Sequence, residues 1–581
     1  MDIQRTILWF VFGFSLIILW ERWQMYQARS LPQPTVTAPA PNASAPAVKG
    51  PSEIPVPSVQ GTAPAAPPSA VEAAPTVRAE HVWAVTDVIR AEFDPVGATL
   101  VRVELPTQKI ALDWTEQGLA RLLGLTDLLH SYGVGQTTGA LRGNPSVVLL
   151  DAKKFEAQSG LAGGRTDTSF PNHRTTLFEV TGAGRTLAEG QDTLVVRFEA
   201  QSEGVRLVKT FTFRRGHYDI DVAHEVTNVG SETISPTLYL QFERDGKPED
   251  GSYFARSYNG PAFYSDADKY HKVSFEDIDK GKPVPVKPAD NGWVAMVQHY
   301  FVAAWVPAKA AGRQFYANPV GQHYRVGTFL PLGNLSSGAS ASQRSVLYVG
   351  PQDQKTLEAI TPGLELVADY GFLTPIAKPL FLLLGVLHRV VANWGWAIVL
   401  LTVLIKLAFY PLSAASYKSM AKMKELQPKM TRLREQYGED RQKLQMAMME
   451  MYKQEKINPL MGCLPVLVQI PVFLSLYWVL LASVEMRNAP WMLWIHDLAT
   501  PDPWFVLPVV MMASMWVQYK LNPTPPDPVQ AKMMAIMPFI FGVMFFFFPA
   551  GLVLYWVVNN ALSILQQWRI TKVVARAKAP G

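Results

Sequence analysis

The chain has 581 residues, 49% of them hydrophobic and only 17% charged, with a formal net charge of +5. Globular proteins carry about 25% charged residues, so this balance argues against a wholly soluble enzyme, and the charge is too mild to point to nucleic acid. One cysteine, Cys463, and ten scattered histidines exclude an internal disulfide and a thiolate metal cluster, and no P-loop is present.

Residues 3–20 form an apolar run flanked by Arg5 and Glu21–Arg22. No small-residue cleavage site follows it, and Trp9, Trp20 and Trp23 suit interfacial anchors, so residues 1–24 are expected to be an uncleaved transmembrane anchor. Residues 31–76 hold 12 Pro and 11 Ala and no aromatic residue. Such a composition cannot bury enough surface to offset its ordering entropy, so residues 25–79 are expected to be a disordered, semi-rigid linker.

Period-2 runs begin after residue 80. Thr193–Ala200, Val205–Phe213 and Tyr218–Val222 alternate apolar and polar residues, punctuated by Arg215-Gly216 and Asn228-Val-Gly230. The pattern predicts one large all-β sandwich over 80–365. Residues 366–392 read as an amphipathic helix lying in the membrane interface, because only Ala392 and Asn393 separate it from the next apolar run. The alternative is a further span.

Spans are expected at 394–412, 463–483, 504–521, 533–548 and 551–568. A spanning helix needs about 20 residues, so the last three imply locally thinned lipid. Prolines 411, 465, 471, 508, 538 and 549 lie within or at the ends of these runs, and Trp491, Trp494 and Trp504 are expected to form an outer belt. Basic residues crowd the loop after the first of these spans and the tail, whereas the 484–503 loop holds only Arg487. This alternation puts the loop, the short basic tail 571–581 and both termini in the cytoplasm, with the β domain outside. The fold class is therefore an α-helical polytopic membrane protein, with six transmembrane helices, plus a large all-β sandwich domain.

Lys406 stands alone in the middle of an apolar run. A charge there costs about 2.5–3.5 kcal/mol on insertion scales, and such residues usually face a wet cavity. The competing explanation is that the side chain snorkels to the cytoplasmic interface, roughly 9 Å away along the helix. Thr402 lies one turn earlier on the same face. Gln469 lies inside the 463–483 run, and Ser514 and Gln518 are one turn apart in the next. Tyr555, Asn559, Ser563 and Gln566 make one stripe on the last helix. These groups predict a hydrated intramembrane concavity; plain interhelical hydrogen bonding is the alternative.

The loop 414–460 reads as a cytoplasmic hairpin of two helices broken at Gly438-Glu-Asp440. Its Met420, Met423, Met430 and Met448 make either an adaptable apolar surface or a Met-filled seam.

Tyr410-Pro-Leu412, Ser419-Met-Ala-Lys-Met423, Leu426-Gln-Pro428, Asn458-Pro459, Gly462-Cys-Leu-Pro465, Gln469-Ile-Pro471, Trp494-Ile-His-Asp-Leu498 and Gly551-Leu-Val-Leu-Tyr-Trp556 resemble the YidC membrane protein insertase family, in order and at matching spacing over about 370–570. The 80–360 region is similar, more loosely, to the large periplasmic domain of its Gram-negative members. The resemblance implies an insertase and chaperone of the inner membrane, not an enzyme, with no cofactor or metal. Its five-helix core, 393–570, would hold a hydrophilic groove open to cytoplasm and lipid. Lys406 falls where many members carry Arg; lysine keeps the charge but lacks the planar fork. Thr402, Gln469, Tyr555 and Trp556 match groove-facing positions, and Ser514, Gln518 and Asn559 join them on the residue pattern above. The resemblance implies nascent membrane proteins, Sec translocon subunits and membrane lipids as partners, only weak or transient ribosome contact given the short tail, and no specific nucleic acid sequence. A transporter lacks support because no inverted repeat is evident, an intramembrane protease because no His or Asp lies within a span, and a sugar-binding receptor because no carboxylate constellation compels it.

Overall fold

The computed structural model describes residues 80–576 except 111–113, 127–145, 153, 167, 182–184, 247–257, 310–311, 438–439, 456–463 and 523–527. All described residues fall within one compact unit. The anchor and linker expected over 1–79 lie outside the described residues.

Two antiparallel sheets build the amino-terminal half. One has eight strands, in the order Val82–Val85, Arg90–Asp94, Thr99–Lys109, Ser146–Asp151, Phe155–Ala162, Thr237–Asp245, His323–Pro331, Gln314–Val320. The other has nine: Lys269–Lys272, Gly260–Ser265, Trp293–Val297, Phe301–Pro307, Ser340–Pro351, Asp219–Asn228, Val205–Arg214, Thr193–Ser202, Glu179–Thr181. Thr193–Ser202 and Val205–Arg214 pair in unbroken register from Thr193–Arg214 to Ser202–Val205. Glu203 and Gly204 both take positive φ in their two-residue turn, which matches the strands' right-handed twist. Alternation turns Leu194, Val196, Phe198 and Ala200 inward. Phe93 of the first sheet meets Phe198 and Phe211 of the second at 5.1 and 4.8 Å between ring centroids, which locks the sheets face to face.

The same alternation carries Lys209 inward. It is completely buried, and its Nζ donates to Gly97 O at 2.6 Å and Ser159 O at 2.7 Å, with the Phe178 ring 4.8 Å away. His224 lies beside it, with Nε2 3.0 Å from Ser159 Oγ. Burial pushes the Lys209 ammonium down to about 7 and the His224 imidazole down to about 3.

Nine helices of seven residues or more follow Thr374 among the described residues: α1 Thr374–Val391, α2 Trp394–Ala408, α3 Tyr410–Glu425, α4 Gln427–Tyr437, α5 Arg441–Gln454, α6 Leu464–Ala482, α7 Val506–Leu521, α8 Pro528–Phe545 and α9 Ala550–Arg576. α1 buries Ala377, Phe381 and Leu384 and exposes Ile376, Leu382, Leu383, Val386 and Val390. It is long and apolar enough to cross a membrane. The run expected as one span over 394–412 is broken: α2 ends at Ala408, and α3 leaves it at 67°. Pro411 lies in the first turn of α3, where its missing N–H costs nothing, and it disfavours continuation of the preceding helix.

The segment expected as a two-helix cytoplasmic hairpin forms three helices, because α3 and α4 are separate on either side of Leu426. Leu426, Met430 and Met451 form a small core with Leu433, Met448 and Tyr452 against it. Met430 and Met448 thus fill a seam, whereas Met420 and Met423, half-buried on α3, lie outside it. α8 starts before its expected bound and stops at Phe545. α9 runs through the expected tail to Arg576, so Lys572 and Arg576 extend the helix; residues 577–581 lie outside the described residues. With a rise of about 1.5 Å per residue, α2 with 15 residues and α7 with 16 span roughly 23 and 24 Å. A hydrocarbon core is about 30 Å thick.

Candidate functional site

In the helical half apolar side chains cover much of the outside, and several polar ones are buried beside an apolar core. Leu407, Leu467, Ile540 and Val543 are exposed at 58–62%, whereas Asn559, Asn560, Ser563 and Gln567 are buried. Apolar side chains face outward where lipid is the solvent, and polar ones are turned in, where neighbouring helices supply partners.

Lys406, in the last turn of α2, points inward. Its Nζ donates to Ser563 Oγ of α9 at 2.7 Å, and that hydroxyl donates to Asn559 O at 2.7 Å. This disposition is the reverse of snorkelling, in which the ammonium would extend along its helix to water. Gln469 of α6 donates through Nε2 to Asn559 Oδ1 and, at 3.5 Å, to Tyr555 OH. Four of the expected residues, Lys406, Gln469, Tyr555 and Asn559, are therefore joined through Ser563 into one polar cluster. A small cleft between Lys406, Phe409, Leu412, Ser413 and Gln469 opens on it. A second cleft of about 290 Å³ lies one turn along α9, between Tyr417, Met420 and Lys424 of α3, Leu521 of α7, and Gln567 and Lys572. Among the described residues Ser563 is Lys406's one hydrogen-bond partner. Its remaining N–H donors leave capacity for an incoming acceptor.

The other expected residues stand apart. Thr402 is fully buried, and its hydroxyl donates to Ile398 O at 2.7 Å, so it is spent on its own helix. Trp556 packs against Phe473 and Phe545, with ring centroids at 4.8 and 5.8 Å. Ser514 belongs to a separate site: it accepts from Asn560 Nδ2 at 3.0 Å and donates to Met511 O at 2.7 Å. Gln518, half-buried one turn later, shares its helix face. Gln567 Nε2 donates to Asn522 Oδ1 at 3.1 Å just past α7. The polar residues expected in one groove thus fall into two polar seams on adjacent faces of α9, one facing α2 and α6, the other facing α7. Asn560 and Gln567, spaced seven apart, define the second, which a search along the Tyr555 stripe does not reach.

The outer loop carries one further residue that the sequence pattern does not single out. Asp502 is completely buried: Oδ1 accepts from Trp494 Nε1 and Trp504 N, both at 2.9 Å, and Oδ2 accepts from Leu507 N at 2.8 Å. It caps α7 and fixes the loop that precedes it, since a carboxylate at a helix start satisfies orphan donors and favours the dipole. Trp494 is consequently turned inward, and of the expected outer belt only Trp504 is largely exposed, at 46%. Trp491 instead covers Gly395, where a Cβ would sit 2.2 Å from its ring.

Among the described residues no group of His, Cys, Asp and Glu could hold a metal ion. The chain matches the family described as 60Kd inner membrane protein over residues 386–577 and the YidC periplasmic domain over 137–383. It is 51% identical to the membrane protein insertase YidC of Cupriavidus necator, with 100% of this chain and 99% of that protein covered. It is 49% identical to the membrane protein insertase YidC of Ralstonia nicotianae over the same shares. A crystal structure of an active YidC insertase with its first transmembrane domain resolved covers 84% of this chain and 92% of its own, at 19% identity and a TM-score of 0.37.

Proposed function

The chain belongs to the YidC membrane protein insertase family, and from that membership we propose that Lys406 and the cluster around Ser563 receive the polar part of an incoming membrane protein. The protein is an inner-membrane insertase with a periplasmic β-sandwich domain, and it is not an enzyme. Its substrates are membrane proteins.

The observation that carries the proposal is the inward Lys406–Ser563 hydrogen bond at 2.7 Å. It keeps an ammonium within the helix bundle beside hydroxyl and amide groups that can rearrange. A substrate segment with carboxylates or backbone carbonyls replaces the single Ser563 contact with charge-assisted ones. Short α2 and α7 reduce the lipid thickness that segment crosses. No bond is made or broken, so nothing in the step requires a nucleotide or a cofactor. Gln469 and Asn559 supply further donors and acceptors as the segment passes, and the α4–α5 hairpin guides it in from the cytoplasm. In this reading the core contributes five spans, the segment before residue 25 a sixth, and both termini are cytoplasmic. The periplasmic domain serves docking to Sec translocon subunits, and ribosome contact is weak and transient.

The test is insertion of a single-span substrate into proteoliposomes holding the purified protein, without nucleotide. Lys406→Arg is expected to retain activity, and Lys406→Glu to lose about tenfold or more, the equivalent of at least one charge-assisted hydrogen bond. Equal rates for wild type and Lys406→Glu would refute the charged-site reading.

A further inference from the structure

A loop of the β domain presents apolar residues where none is needed for its own folding. Between Trp114 and Thr126 the chain closes on itself: Leu125 N donates to Ala120 O at 2.9 Å and Thr126 Oγ1 to Thr115 O at 2.8 Å, with Ala120 and Thr115 completely buried. Leu122, Leu123 and Leu125 nevertheless stand 72%, 59% and 36% exposed in a row, next to exposed Arg121. Elsewhere on the described β domain, exposed large apolar residues such as Leu177, Val195 and Val229 are isolated. Single exposed apolar residues are ordinary, whereas a contiguous cluster marks an interaction surface.

The position of the loop identifies the partner. Leu119 N donates to Pro503 O at 2.9 Å. Gly118 has φ of +56°, and a Cβ there would lie 2.0 Å from Pro503 O, so the two backbones touch directly. Asn488 Nδ2 donates to Lys109 O at 3.1 Å and ties the preceding strand to the same outer loop. Pro503 is three residues before α7, whose first turns expose Val506, Val509 and Val510 to lipid at 39–49% or thereabouts, and Trp504 is exposed between them. Leu119, three residues before the first of these leucines, is therefore held against the loop that leads into α7.

We propose that Leu122, Leu123 and Leu125 insert into the outer leaflet of the inner membrane beside the start of α7, with Arg121 at the phosphate level, and hold the β domain on the lipid surface. The arrangement follows the chemistry of interfacial anchors, in which apolar side chains enter the acyl boundary while a basic residue stays at the headgroups. It rests on the chain's place in the inner membrane and not on the Lys406 reading.

The test uses the full chain with Cys463→Ser, carrying an environment-sensitive fluorophore on Leu123→Cys, in nanodiscs of phosphatidylethanolamine and phosphatidylglycerol. Emission is expected to be blue-shifted relative to the same label on Val195→Cys, and lipids spin-labelled near the headgroup are expected to quench it by about twofold, as insertion at the acyl boundary requires. Water-like emission at residue 123 would overturn the proposal. So would blue-shifted emission that the lipid quencher does not reach, since the leucines would then be covered by protein. Equal quenching at residue 195 would also overturn it, by showing that the label itself partitions. Thermal unfolding of each labelled chain establishes that it is folded, and Leu122→Cys, at a more open position, serves if Leu123→Cys is not.

Discussion

The two halves of the molecule each bury a lysine, and they do so in opposite ways. Lys209 lies between the sheets with its ammonium bonded to two backbone carbonyls, Gly97 O and Ser159 O, and capped by the Phe178 ring. Lys406 lies among helices with one described partner, the Ser563 hydroxyl, and a cleft beside it. The first is a closed arrangement in which the charge is committed to the fold. The second leaves donors available to something that arrives. Burial alone thus does not mark a functional charge; the difference lies in whether its hydrogen-bonding capacity is already spent. The comparison extends to the surroundings. In the sandwich, apolar residues are inside and the buried polar groups serve structure, whereas in the helical half apolar residues such as Ile540 and Val543 also face out, and polar seams along α9 border an apolar core around Leu401, Val479 and Leu552.

The largest effect is expected at Asp502, where the helical half depends on a polar anchor rather than on apolar burial. Asp502→Ala strands three donors, Trp494 Nε1, Trp504 N and Leu507 N, and is expected to cost about 3 kcal/mol, as for loss of charge-assisted hydrogen bonds in a buried site. Thermal unfolding in detergent would register this as a lower midpoint. A midpoint unchanged from wild type would remove Asp502 from the account.

Next comes a reciprocal pair of substitutions. Lys406→Met is expected to lower insertion by about tenfold. Lys209→Met is expected to leave insertion near wild type and to change the pH dependence of stability. Burial holds the folded Lys209 at about 7 against its ordinary 10.5. Between those values the unfolded chain carries a proton that the folded one has released, so stability rises with pH across that window and levels off above it. The slope is at most about 1.4 kcal/mol per pH unit. Urea titrations from pH 7 to 10 of wild type and Lys209→Met should differ by that slope. Parallel curves would mean that Lys209 stays charged when buried.

The smallest effects distinguish the two seams of α9. Ser514→Ala removes the acceptor of Asn560 Nδ2 and is expected to cost about 0.6 kcal/mol, the usual size of an interhelical hydrogen bond in a bilayer. Because Ser514 lies on the α7 side, insertion should remain near wild type. Thr402→Val should likewise be nearly silent for insertion, since its hydroxyl serves only Ile398 O. A strong insertion defect from either would reunite the two seams into one groove.

Much of this was legible in the residues because the signals are local. Period-2 alternation marks the strands at Thr193–Ser202 and Val205–Arg214, and an isolated lysine in an apolar helix marks Lys406. The Tyr555–Asn559–Ser563 spacing puts these three residues on one edge of α9, since i and i+4 share a face. Asn560 is one residue past Asn559, about 100° around the helix, so the second seam is invisible to a search along the first. The break after Ala408 had a signal in Pro411, which disfavours helical geometry before it. Asp502 had none of comparable strength, because nothing in a loop sequence states whether a carboxylate caps a helix or faces water. Lys209 sits at an inward position of its own strand's alternation, but its partners, Gly97 and Ser159, are brought to it only by the pairing of distant strands.

The most direct test of the central claim asks where a substrate goes. A photo-crosslinking residue at Leu412, which lines the cleft beside Lys406, is compared with one at Ile540, exposed on the outer apolar face of α8. Both are irradiated while a single-span substrate is being inserted. The account predicts that Leu412 captures the substrate early and releases it as insertion completes, and that Lys406→Glu abolishes this capture. Capture at Ile540 with none at Leu412, or capture at Leu412 that Lys406→Glu leaves unchanged, would contradict it.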